Sequence, residues 1–119
     1  MLAAHRIVAV GVLVVTWLAF LVGGLAWWRR SDPGAVVAHL LVLAQTILVA
    51  QVGLGLLLLS DGYRAPHELH YAYGTLALAA VLSPWLYAPV EPRRRLAWFV
   101  GATLVAALLA GRAYLTSGV

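Results

Sequence analysis

Few side chains in this sequence can bind a metal or move a proton, and most of them stand at the ends of apolar stretches. The four histidines are His5, His39, His67 and His70. His5-Arg6 precedes one apolar run, and His67-Glu68-Leu69-His70 opens another. Imidazole is the commonest metal ligand and a proton carrier near neutral pH. Carboxylates are scarce, being limited to Asp32, Asp61, Glu68 and Glu91. There is no cysteine, which excludes disulfides, thiolate ligands and cysteine nucleophiles. Gln45 and Gln51 lie inside a further apolar run, where a buried amide serves to bond a neighbouring helix.

The elements that must position these groups follow from composition. Of 119 residues, 64% are hydrophobic and 10% charged, and the mean hydropathy is +0.95. A soluble domain carries about 25% charged residues. Four apolar stretches cover residues 7–28, 36–59, 69–87 and 96–115, each near the ~20 residues that cross a bilayer. They are continuous rather than alternating, so helices are expected rather than barrel strands. Trp27-Trp28-Arg29-Arg30 ends the first stretch as an interfacial anchor, not as a small-residue cleavage site. Ser31-Asp32-Pro33-Gly34, Ser60-Asp61-Gly62 and the Pro89 to Pro92 segment read as short connections. The expected fold is all-α: an integral membrane up-down-up-down four-helix bundle, with residues 1–119 as a single domain.

All eight basic residues are arginine. Arg29, Arg30, Arg93, Arg94 and Arg95 fall on one side of the membrane, and Arg6, Arg64 and Arg112 on the other. The positive-inside rule then places both termini outside, in what is expected to be a prokaryotic plasma membrane. The net charge of +4 serves topology and gives no reason to expect nucleic acid.

With this topology the first and third spans run parallel and sit diagonally. His5 and His70 then lie on the same side, at similar depth, facing each other across the bundle. His39 enters from the opposite side and reads as structural. Two facing imidazoles at one depth suit a low-spin b-type heme with one axial nitrogen from each side. Gly74, four positions after His70, would leave room for the macrocycle. Arg6, Arg64 and Arg112 would pair with the propionates, and Gln51 would line the same region. His67 competes with His70 for the second ligand position. The plainer reading is that these are interfacial histidines that bind nothing.

The same residues carry a family resemblance. His5-Arg6 opening a span, Gln51-Val52-Gly53-Leu54-Gly55 in the next and His67-Glu68-Leu69-His70 opening the one after it resemble half of a heme A synthase, over roughly residues 1–83. The resemblance implies a four-helix unit whose paired histidines, here His5 and His70, ligate heme near the outer face. Where the family's oxidising half carries a glutamate this chain has Leu2, so Glu68 is the only acid placed to stand in for it catalytically.

Three functions are therefore in view. The first is a bis-His heme protein in electron transfer, or as a subunit or assembly partner of a respiratory complex. The second is a heme-modifying oxidase acting as a homodimer. The third is a heme-free structural subunit of a larger membrane complex, or a Cu or Zn handler built on His67-x-x-His70 with Glu68 and Asp61. Transport is disfavoured, because the apolar runs lack acid pairs for an ion path.

Overall fold

The computed structural model describes residues 2–30, 32 and 34–117. The described residues are helical, and no strand occurs among them. The helices are α1 (Leu2–Trp28), α2 (Gly34–Ser60), α3 (Leu69–Leu82), α4 (Pro84–Tyr87) and α5 (Pro92–Leu115). The turn expected at 31–34 falls partly on Ser31 and Pro33, which lie outside the described residues. Three helices, α1, α2 and α5, are long and apolar enough to cross a membrane.

The expected span 69–87 is found in two pieces. Pro84 brings no N–H to the helix ladder and cannot serve the Ala80 carbonyl. The residue before it takes over: the Ser83 hydroxyl donates to Ala80 O at 2.8 Å, and its N–H bonds Ala79 O and Ala80 O. Ser83 stays in the right-handed helical region, so the chain turns into the one-turn α4 instead of unravelling. The last helix starts at Pro92, four residues earlier than its apolar stretch, because proline is pre-organised for a first helical turn. Glu91 caps it, accepting from Arg94 N at 2.8 Å and Arg93 N at 3.0 Å. Those bonds hold the exposed Glu91 carboxyl below the usual carboxylate range. α2 ends on a reversed-φ glycine, Gly62 (φ +91°). Gly62 N bonds Leu59 O and Tyr63 N bonds Leu58 O, the pair of bonds that satisfies the last carbonyls of a Schellman ending.

The helices form a ring in the order α1, α2, α3, α5. The seams α1–α2, α1–α5 and α3–α5 are tightly packed, whereas α2 and α3 meet loosely and α1 and α3 make no close backbone contact among the described residues. Small residues make the tight seams possible: Ala19, Ala44, Ala77, Ala106 and Ala107 are all essentially inaccessible. Large apolar side chains are turned outward instead, among them Ile7, Val14, Leu21 and Leu108. Two buried clusters fill the bundle, one around Val12, Leu48, Ala77 and Val81, the other around Ala19, Val37, Leu41 and Phe99. Buried Thr16 and Thr103 return their hydroxyls to their own helices, to Val12 O and Phe99 O, both at 2.7 Å.

At the arginine-rich end, Arg93 lies over the Trp27 ring at 4.6 Å and donates to Trp27 O at 2.8 Å. A cation thereby joins Arg30 N, 3.2 Å away, as a donor to a carbonyl in α1's last turn. Arg95 faces both Trp85 and Phe99. The Trp85 indole donates to buried Gln45 Oε1 at 2.8 Å, which gives that amide a structural role.

Two outcomes follow for stability. A Cβ at Gly23 would stand 3.0 Å from Val100 Cγ2, so Gly23→Leu should cost about 1–3 kcal/mol of overpacking in detergent unfolding. The Glu91 cap has a lowered folded pKa, so its contribution is complete above the ordinary glutamate pKa and disappears as pH falls through the lowered one. The stability difference between the native protein and Glu91→Gln should therefore be positive at neutral pH and close to zero in acid.

Candidate functional site

His5 sits in the first turns of α1, on a face turned inward. Its ring rests on α2, where a Cβ at Gly55 would be 3.3 Å from His5 Cε1. One turn earlier on α2, Gln51 Nε2 donates to the His5 carbonyl at 2.9 Å. The late part of α2 thus forms the seat of His5, and only a glycine at 55 leaves the ring where it is.

His70 opens α3, and its Nδ1 lies 2.8 Å from Ala113 O on α5. A carbonyl can only accept, so Nδ1 carries a proton and, in the neutral ring, Nε2 is the nitrogen with the lone pair. The His5 and His70 rings face each other with centroids 6.2 Å apart and planes at 80°. They reach across the one diagonal of the ring that backbone contact leaves open. Neither Nε2 makes a hydrogen bond among the described residues, and His5 Nδ1 and Gln51 Oε1 are both buried without a partner. Two buried polar atoms without partners, on residues already joined through the His5 carbonyl, mark an incomplete polar arrangement.

The rings project into a cavity of about 490 Å³. Its walls are mostly apolar, with Val12 and Leu48 deep inside and Gly74 on the α3 side. No side chain lies within 4 Å of a Cβ at Gly74, so that face is open space. Arg6 and Arg64 line its aqueous end, Arg64 on the connection between α2 and α3. A size of a few hundred Å³ with a few convergent polar groups is typical of a ligand site between helices.

Most residues singled out in the sequence meet here: His5, His70, Gln51, Gly74, Arg6 and Arg64 all line the cavity. Arg64 has partners already, donating to Leu59 O at 3.0 Å and Tyr63 O at 2.8 Å. Arg112 does not line the cavity and stacks over Tyr73 at 5.6 Å. His67 and Glu68 are exposed in the turn before α3, outside the lining. His67, His70, Glu68 and Asp61 do not come together, and no group of three or more metal-ligating side chains occurs among the described residues. His39 is exposed near the start of α2, remote from the cavity.

Two participants were not read from the sequence. One is the Ala113 carbonyl, a main-chain acceptor to which side-chain reasoning is blind. The other is Tyr71, whose hydroxyl accepts from Ala65 N at 2.7 Å and pins the connection between α2 and α3 over the cavity. Its position beside His70 was the available signal.

No protein-family model, curated protein or solved structure matches this chain.

The seat of His5 gives a direct test. In histidine-labelled protein, Gly55→Leu should abolish the NMR cross-peak between the His5 and His70 rings. Gly53→Leu, on the same helix but with nothing within 4 Å of the new Cβ, should leave it in place.

Proposed function

We propose that the chain is an integral membrane, up-down-up-down four-helix bundle that holds a b-type heme between His5 and His70, and that it serves electron transfer or acts as a subunit or assembly partner of a respiratory complex. The observation that carries this reading is the facing pair of imidazoles. Two metal–nitrogen bonds of about 2 Å each and roughly 1 Å from each ring nitrogen to its centroid put linear bis-imidazole centroids about 6 Å apart. The rings stand at 6.2 Å.

The membrane setting draws on the inverted distribution of side chains. Alanines are buried and large aliphatic residues face out along α1, α2 and α5. In water this would be an apolar surface far beyond what a soluble monomer exposes, whereas lipid accepts it.

Heme bound here supplies one-electron redox chemistry. The chain's own residues do the rest. Ala113 O fixes the His70 tautomer and orients its ring, as a second partner does for a metal-ligating histidine. Were His5 Nε2 a ligand, its Nδ1 would carry a proton, and Gln51, already bonded to the His5 carbonyl, holds a buried acceptor without a partner. Gly55 and Gly74 leave the seat and the space. Arg6, exposed at the aqueous end, is placed to meet a carboxylate, while Arg64 there has its Nη1 engaged by local carbonyls and Arg112 lies over Tyr73. The likeness to half of a heme A synthase agrees with heme binding. The oxidase reading gains less, because Glu68 lies outside the cavity lining.

Protein purified in mild detergent from heme-supplied cells should give a shifted Soret band and sharp α and β bands on dithionite reduction. His5→Ala and His70→Ala should each convert or lose that spectrum, and His67→Ala should not. Gln51→Glu, which offers His5 an anionic acceptor, should lower the midpoint potential relative to Gln51→Leu. A folded helical protein with a flat visible spectrum would overturn the proposal and leave a heme-free structural subunit.

A further inference from the structure

The cavity has two boundaries that could admit a ligand, and they are built very differently. Towards the aqueous end it is roofed by the connection between α2 and α3. Tyr63, Arg64, Ala65 and Pro66 of that connection all line it. The roof is tied at several points: Tyr63 N to Leu58 O at 3.0 Å, Arg64 Nη1 to Leu59 O at 3.0 Å, and Ala65 N to the Tyr71 hydroxyl at 2.7 Å. Opening it means breaking a main-chain bond at the end of α2 and the Ala65–Tyr71 bond that ties the connection to α3.

The side boundary has no such ties. α2 and α3 form the loosest seam of the ring. No hydrogen bond spans it below the roof among the described residues. Leu56 on α2 is 60% exposed and Thr75 on α3 is exposed, yet both line the cavity. They are therefore rim residues, reached from outside and inside alike. Just within the rim, the space over Gly74 is empty of side chains. The rim residues lie along the helices, not at the capped end, so in a bilayer the slot faces hydrocarbon.

We infer that the cavity is loaded and emptied sideways, through the slot between Leu56 and Thr75, by a ligand dissolved in the membrane. On the heme reading, from which the identity of the ligand is taken, the site exchanges heme with the lipid phase. That makes this chain a handler that receives or passes on a membrane-borne macrocycle, in preference to a carrier with permanently enclosed heme. The route itself follows from the geometry of the slot and roof, whatever occupies the cavity.

The chain has no cysteine, so a single reporter thiol can be placed with no background. Ala9→Cys, on the α1 wall of the cavity, is reconstituted in full-length protein in phosphatidylcholine nanodiscs. It is then labelled with pyrene maleimide, which partitions into lipid, or with a sulfonated, water-confined maleimide. The lipid-phase reagent should label at least about tenfold faster, and adding Leu56→Trp with Thr75→Trp should slow it about tenfold, as expected where a gate sets the rate. Adding Tyr71→Phe, which loosens the roof, should leave its rate essentially unchanged. Equal or faster labelling by the sulfonated reagent, or acceleration of that reagent by Tyr71→Phe, overturns the side route. A second arm follows hemin uptake from hemin-loaded vesicles by the Soret shift. Failure of uptake in the native chain overturns heme binding alone, and the thiol rates still decide the route.

Discussion

Helices whose contacts are made by alanine must stand close together, and this spacing governs the rest of the molecule. Ala19 and Ala44 at one level, and Ala77, Ala106 and Ala110 at another, draw the backbones together along three seams of the ring. Dispersion across such short distances is what holds helices together where no hydrophobic drive separates protein from solvent. The fourth seam lacks this zipper, and the α1–α3 diagonal has no backbone contact at all. The cavity lies where close packing stops, and the residues that reach into it are the ones long enough to span the gap.

Those residues are two imidazoles whose polar atoms are handled unequally. His70 is committed: a proton is held on Nδ1 by the Ala113 carbonyl, which orients the ring and selects its neutral tautomer. His5 is held by shape, against Gly55, and by its main chain, through Gln51, while its own Nδ1 is left without a partner. A buried polar group without a partner costs about 1–3 kcal/mol, so the arrangement gains stability from whatever completes it.

Much of this was legible in the sequence, for physical reasons that can be named. The four apolar stretches gave the helices, because continuous hydropathy of that length has few alternatives. The pairing of His5 with His70 followed from parity alone, since alternate spans run in the same direction. The Schellman ending at Gly62 was signalled by Ser60-Asp61-Gly62. The break before α4 was not read, although Ser83-Pro84 sits inside the third stretch and proline removes a ladder bond there. Charge and side of the membrane placed Arg64 and Arg112 near an anion; Arg64 lines the cavity with its Nη1 on local carbonyls, and Arg112 lies over the Tyr73 ring outside the lining, contacts that charge alone does not encode. Which main-chain carbonyl meets His70 depends on the rotation of α5, which periodicity in a uniformly apolar helix does not encode.

The break at Ser83-Pro84 has a consequence for the height of the third element. The 14 residues of α3 rise about 21 Å at 1.5 Å each, and α4 adds one turn beyond the break, while α1 and α2 run 27 residues each without interruption. Against roughly 30 Å of hydrocarbon, this element would match its neighbours only with α4 in line. In a bilayer, a bend at Ser83 would thus set how far the lipid beside the loose α2–α3 seam has to adjust.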